Sequence, residues 1–160
     1  MFLKKWFIVL PVGVMTLFFC LMFFFYLTDW IWPEFNGSHS LGNNIYMVEW
    51  DGGGRMIVKG TNIKGNACYG GERLIPTYVN QYDSIGNVSE YVVDAKADDK
   101  WVIVKTDNRS THQKKYYIIN KKHGIEKLIA KDIIEKYIVS FIDSTEFSSV
   151  CHKERIQIEW

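Results

Sequence analysis

VSEYVVDAKADDKWVIVKT, residues 88–106, is two β-prone runs around a polar Asp98-Asp99 step, and reading it as a tight antiparallel pair commits the chain to a sheet. Val88, Tyr91, Val92 and Val93 in the first run and Trp101, Val102, Ile103 and Val104 in the second are side chains that suit a pleated, half-buried surface. Downstream, KKYYIINKK (114–122) predicts another strand after a polar loop at 107–113. Upstream, IYMVEW (45–50) and RMIVK (55–59) flank DGGG (51–54), whose φ-permissive glycines suit a hairpin connection. ERLIP (72–76) predicts a short strand ended by Pro76, and TYVNQY (77–82) a further alternating run before a polar turn at 83–87. Such short connections favour a meander over parallel crossovers. GTNIKGNACYGG (60–71) reads as a loop, an irregular edge open to a ligand.

Beyond the strands the period changes. Ile125, Leu128, Ile129, Ile133, Ile134, Tyr137, Ile138 and Phe141 recur at three- and four-residue steps, which predicts a helix over about 125–142 covering the sheet. The β-branched run YIVSFI (137–142) leaves a strand as the alternative for its last part. Lys131 with Glu135, and Asp132 with Lys136, are opposite charges four apart on the wet side of that helix. Asp143 followed by Glu146 has the spacing of a helix-start capping pair, predicting a second helix through about Lys153. Ile156, Ile158 and Trp160 then alternate with Gln157 and Glu159 as in a half-buried strand. The expected fold is α+β, a mainly antiparallel β-meander sheet covered by one or two C-terminal helices.

Before all of this stands WFIVLPVGVMTLFFCLMFFFYLT, residues 6–28, without one ionisable acid or base. Its twenty-three residues would reach about 34 Å as a helix, enough to cross a hydrocarbon core of about 30 Å. Lys4 and Lys5 precede it and Asp29 and Glu34 follow it, so the cationic end stays on the cytoplasmic side. Trp6, Trp30 and Trp32 sit where indoles settle at the two headgroup layers. A cleavable signal peptide is the alternative, but its apolar region is shorter and ends at small residues, and here no alanine occurs before Ala67. The expected organisation is a cytoplasmic N-terminus at 1–5, a transmembrane helix at 6–28, a Pro-, Gly- and Asn-bearing linker at 29–40, and an exported domain at 41–160. A signal-anchor of this kind places the chain in a bacterial inner membrane with a periplasmic C-terminal domain.

Seventeen basic and eighteen acidic residues follow the apolar stretch, so the exported part is nearly balanced. Such a balance argues against a nucleic-acid partner, which needs an excess of Lys and Arg to neutralise phosphates. About 125 residues remain after the anchor, one domain with one core. Cys20 lies in the apolar run, while Cys68 and Cys151 lie in a compartment that permits a disulfide; the alternative is two buried thiols that never meet.

LGNNIYMVEW (41–50), KWVIVKT (100–106) and YYIINKK (116–122) resemble strand motifs of a family of small, functionally uncharacterised envelope proteins of Bacteroidota and related bacteria. The resemblance implies an envelope location and a strand leading into a helical C-terminus. Many members look like lipoproteins, and Phe19 before Cys20 departs from that pattern. The family supplies no catalytic residues to carry over.

Chemistry-bearing patterns are sparse. DGGGR (51–55) lacks the following helix and Lys-Ser/Thr end of a phosphate loop, so it reads as a turn. His39, His112, His123 and His152 show no metal-ligand spacing, and Cys151 next to His152 diverges from it by about 100° on a helix, giving no nucleophile geometry. Asp94, Asp98 and Asp99 are interleaved with Lys96 and Lys100 and read as a solvated turn rather than a calcium loop. Asp83-Ser84-Ile85 resembles the serine glycosylation motif of Bacteroidota, which makes Ser84 a modification candidate; Asn36, Asn87 and Asn108 begin Asn-x-Ser sequons. Trp50, Asp51, Arg55 and Tyr69 make the candidate binding surface. No cofactor and no metal are expected. The function these features favour is a non-enzymatic domain that binds a protein partner, an immunity or inhibitor protein against a toxin being its most specific form. An envelope hydrolase or carbohydrate-handling enzyme, and an accessory subunit of an envelope complex, are the alternatives.

Overall fold

A computed structural model of the chain describes residues 14–24, 37–50, 54–64, 67–76 and 89–158. Helix α1 covers 14–24 with its side chains exposed. Among the described residues no helix is long and apolar enough to cross a membrane, and the rest of the expected 6–28 span lies outside them.

The domain is α+β, with two four-stranded antiparallel meanders in place of the single expected sheet. The first joins β1 (Ser38–Gly42), β2 (Ile45–Trp50), β3 (Gly54–Lys64) and β4 (Ala67–Ile75); the second joins β5 (Glu90–Ala97), β6 (Trp101–Asn108), β7 (Lys114–Asn120) and β8 (Ile138–Phe141), each in sequence order. The pair read from residues 88–106 is β5 and β6, and 114–122 supplies β7. The hairpin around 51–54 is β2 and β3, with Trp50 opposite Gly54.

Two strand assignments depart from the sequence reading. β1 begins at Ser38, inside the expected linker, and turns into β2 through Asn43 and Asn44, both at positive φ (53° and 60°). Two consecutive left-handed residues form the hairpin turn whose twist matches its strands, and asparagine tolerates that region better than most residues. Within the stretch 60–71 the described residues are strand rather than loop: β3 runs on to Lys64 and β4 starts at Ala67, with 65–66 outside the described residues. Its glycines mark backbone approach, since a Cβ on Gly71 would lie 2.2 Å from the Lys59 carbonyl oxygen at an irregularity of the β3–β4 ladder. The ladder bends there, and the Cys68 amide donates to Ser38 Oγ at 3.1 Å, tying β4 to β1.

Strand alternation sorts side chains into three clusters. Leu41, Ile45, Ile57, Leu74 and Ile75 of the first sheet face Val92, Val102, Val104, Tyr117 and Ile119 of the second across the main core. Tyr46, Met56, Val58 and Cys68 form a small cluster on the other face of the first sheet. Ile103, Ile118, Phe141 and Phe147 form the third, on the other face of the second sheet.

The expected long helix over 125–142 is broken into three. A single 3-10 turn, Ile125–Lys127, is followed by extended Leu128 and Ile129, then α2 (Ala130–Tyr137), then β8. No side chain of Ile129 can cap α2; instead Glu72 Oε2 on β4 accepts from the Ala130 amide at 3.0 Å. The helix ends because Ile138 turns extended and β8 pairs with β7, Tyr117 opposite Ser140. The charge pairs lie on α2 as read, Lys136 Nζ 3.0 Å from Asp132 Oδ1 and Lys131 Nζ 3.9 Å from Glu135 Oε1. Helix α3 (Ser144–Lys153) starts where the capping pair places it, with Asp143 Oδ1 accepting from the Thr145 amide at 2.6 Å. That bond holds the Asp143 carboxyl below the usual carboxylate range. Phe147 of α3 stacks on Tyr116 at 5.1 Å between ring centroids. Ile156 and Ile158 pack against the same cluster but join no strand, which overturns the strand reading of the tail; residues 159–160 lie outside the described ones.

Two buried ionic groups fix the ends of the sandwich. Glu90, 2% exposed, accepts from Thr106 Oγ1 and Tyr117 Oη at 2.7 Å through one oxygen and pairs with Lys115 Nζ at 3.1 Å through the other. Lys121, 8% exposed, donates to the Leu41 carbonyl at 2.8 Å, so β7 ends on β1. Burial pushes the Lys121 ammonium below the ordinary lysine range, against the opposing pull of Asp98 and Asp99.

Glu90→Ala should cost about 3–5 kcal/mol, because it strands a cation and two hydroxyls, and Tyr117→Phe about 1–3 kcal/mol. Urea unfolding of the full chain in dodecyl maltoside micelles measures both. For Lys121 the unfolded chain binds more protons than the folded one between its lowered folded pKa and the ordinary value of 10.5. Stability should therefore gain from Lys121 as pH rises through that alkaline window, and Lys121→Met should remove that gain from the urea midpoints.

Candidate functional site

A cleft of about 410 Å³ opens at the mouth of the inter-sheet space. The first sheet contributes His39 from β1, Met47 and Glu49 from β2 and Arg55 from β3; β5 contributes Asp94, Ala95 and Lys96. Met47 and Glu49 are two apart on β2 and share a face, whereas Asp94, Ala95 and Lys96 are consecutive on edge strand β5, with Ala95 turned to the core. Glu49 and Arg55 are directly opposed in the β2–β3 ladder. Arg55 reaches across to the second sheet, its Nη2 donating to the Val93 carbonyl of β5. One of five guanidinium donors is thereby used in holding the walls together.

A second opening, of about 460 Å³, lies beside β8, lined by Lys115, Tyr117, Ile134, Ile138, Ser140 and Ile142 among others. It borders the Glu90 cluster, whose donors and acceptors are already matched to one another. Beside it runs β8, which among the described residues pairs with β7 alone. Val139 and Ser140 are both exposed although neighbours on a strand face opposite ways. Val139 on β8 and Ile142 just after it are 54% and 65% exposed, and Ile129, ahead of α2, is 57% exposed.

Of the four residues of the expected binding surface, Arg55 and Tyr69 have described side chains, and these lie apart. Arg55 lines the cleft, and Tyr69 lies on β4 opposite the far end of β3, exposed, with Lys64 Nζ 5.5 Å from its ring centroid. The Trp50 backbone belongs to β2 while its side chain lies outside the described residues, as does all of Asp51. Ser84 lies outside them as well. Arg55 was legible as the charged end of a hairpin; Glu49, Asp94 and Lys96 were not legible as its neighbours, because β5 meets β3 only through the packing of the two sheets.

Cys68 and Cys151 are free thiols rather than a bridge. Cys68 belongs to the cluster behind the first sheet and Cys151 packs against the cluster behind the second, so the main core separates them. Burial raises the pKa of both thiols, and only Cys68 has a partner pulling the other way, the Gly70 carbonyl 3.4 Å away. Neither is a poised nucleophile. Among the described residues no group of three or more His, Cys, Asp or Glu is placed to hold a metal ion.

Compared with known protein families, curated proteins and solved structures, the chain matches none.

In a Cys20→Ser background, 5,5′-dithiobis(2-nitrobenzoate) should label Cys68 and Cys151 slowly in the native protein and both at once in urea, with the same yield with or without prior reductant. A yield that rises after reductant would show a bridge.

Proposed function

We infer that this chain is a non-enzymatic binding domain, held to a membrane by the apolar stretch that contains α1 and working outside the cytoplasm. Support for the anchor comes from the uncharged run 6–28 with its lysines before and acids after. The observation that carries the binding reading is the edge strand β8, where Val139 and, just past the strand, Ile142 stay exposed on a domain that sorts most of its large aliphatic side chains into three packed clusters. Exposed apolar side chains on an edge strand are what a protein partner covers. The partner class is a protein, and the most specific reading is an immunity or inhibitor protein that sequesters a toxin. The likeness of its strand motifs to small envelope proteins is compatible with that setting.

A subunit of an envelope assembly is the second reading, favoured by the same edge, since strand addition would join β8 to a neighbouring sheet. Crosslinking the tagged full chain in its native membrane and identifying the products separates the readings. One stoichiometric partner whose toxicity the chain suppresses supports the inhibitor, and several resident envelope proteins support the assembly. Val139→Lys with Ile142→Lys should reduce the crosslinked product about ten-fold, since it places charge in an apolar contact. An undiminished yield, or turnover of a cell-wall fragment with no partner, overturns the binding reading.

A further inference from the structure

We propose that the outer face of the second sheet binds a neutral sugar, a gluco-configured pyranose ring laid against Trp101 and Tyr137 with its hydroxyls on Asn120. The register of the sheet builds the site. Trp101 stands opposite Asn120 across β6 and β7, and Ile119 opposite Ile138 across β7 and β8, so the ladder brings Asn120 level with Tyr137, the last residue of α2. Two residues further along the same face, Ile103 stands opposite Ile118 and Ile118 opposite Val139. Helix α3 covers part of this face, where Phe147 stacks on Tyr116 and meets Phe141 edge-on. At the end it leaves open is a hollow of about 270 Å³, lined by Trp101, Asn120, Tyr137 and Val139, with Lys136 and Glu154 at its exposed rim.

The polar tips in this hollow have capacity to spare. Trp101, Asn120 and Tyr137 are half-buried, yet among the described residues no hydrogen bond or ion pair engages the Trp101 indole N–H, the Asn120 amide or the Tyr137 hydroxyl. Two aromatic rings beside one unengaged amide call for a ligand with an apolar face and a polar rim. A pyranose with equatorial hydroxyls is such a ligand: its axial C–H groups lie against aromatic rings as weak donors, and its hydroxyls both donate and accept. Asn120 answers adjacent hydroxyls with a carbonyl and an amino group together, and the indole N–H adds a donor.

Other ligand classes fit less well. Lys136 is already bonded to Asp132 at 3.0 Å and Glu154 carries the opposite charge, so an ionic ligand gains no net attraction. An aliphatic chain would cover the Asn120 amide without pairing it, which costs free energy. Both aromatic side chains are held from behind, Trp101 by the Ile103–Phe147 cluster and Tyr137 by the main core, so little rotamer freedom is lost on binding. The volume lies just below the range of enclosed small-molecule sites, which starts at about 300 Å³, and suits one ring of an oligosaccharide on an open platform. This site does not depend on the protein-partner reading: Val139 belongs to both surfaces, but Ile142 lies outside the hollow.

The test uses the full chain in micelles of octaethylene glycol monododecyl ether, a detergent without a sugar headgroup, titrated with cellotriose, chitotriose and sorbitol by calorimetry and saturation-transfer NMR. At least one trisaccharide should bind saturably, with transfer strongest at ring C–H protons and an affinity at least ten-fold above that of sorbitol, which has hydroxyls without a ring face. Trp101→Ala should weaken binding at least ten-fold and Asn120→Ala about five-fold, with Trp101→Phe retaining more than Trp101→Ala. Ile142→Lys should leave it unchanged. Circular dichroism checks each variant, and Tyr137→Leu replaces one that does not fold. No saturable binding of either trisaccharide, equal binding of sorbitol, or binding indifferent to the substitutions at Trp101 and Asn120 overturns the site. Such a failure leaves the crosslinking result at the β8 edge standing, and absence of a crosslinked partner leaves the sugar titration standing.

Discussion

Everything in this domain depends on two four-stranded sheets burying their inner faces against each other. Neither sheet has a core alone. The first offers Leu41, Ile45, Ile57, Leu74 and Ile75, and the second Val92, Val102, Val104, Tyr117 and Ile119, so each supplies half of one apolar layer. A fully buried Ile or Val is worth about 1.5–3 kcal/mol, whereas the exposed α2 charge pairs are worth a few tenths each. The inter-sheet layer therefore decides the architecture and the surface pairs follow it. Ala130, Ile133 and Ile125 complete the same layer, which is why α2 sits where it does and not along a longer helix.

The same constraint explains the polar groups at the margins. A sandwich ends wherever its strands run out of apolar residues, and there the backbone and the next side chains have to be satisfied. Glu90 does this on one side with Thr106, Tyr117 and Lys115, and Lys121 does it on another through the Leu41 carbonyl. Both groups reach across strands far apart in sequence, so they lock register and sheet placement as well as stability. The mouth lined by Glu49, Arg55, Asp94 and Lys96 is a third margin, where Arg55 on the first sheet donates to the Val93 carbonyl of the second. The β8 edge is a different kind of margin, with apolar side chains exposed, and suits a macromolecule.

Outside the two faces, thiol and aromatic residues behave as packing groups. Cys68 with Tyr46 and Met56, and Cys151 with Phe147 and Val150, each fill a small cluster that covers the back of one sheet. The spacing of two cysteines along a chain says nothing about which face of which sheet they occupy, and here the faces are opposite.

By itself the sequence determined the strands β2, β3, β5, β6 and β7, the start of α3 and the α2 charge pairs, because alternation, capping and four-residue spacing are local. Arg55 of the cleft was visible too, as the charged start of a β run after three glycines. The strand at 138–141 was legible as the β-branched alternative to the end of the long helix, whereas tertiary structure alone decided that there are two sheets, that 60–64 and 67–71 are strand, and that α2 starts only at Ala130. Gly71 is read as a loop residue until the Lys59 carbonyl is beside it, and α2 starts at Ala130 because Glu72, on another element, caps it. The cleft belongs to the same category: Glu49, Arg55, Asp94 and Lys96 come from three strands of two sheets, and only the face-to-face burial of apolar layers, a non-local free energy, brings those strands to one opening.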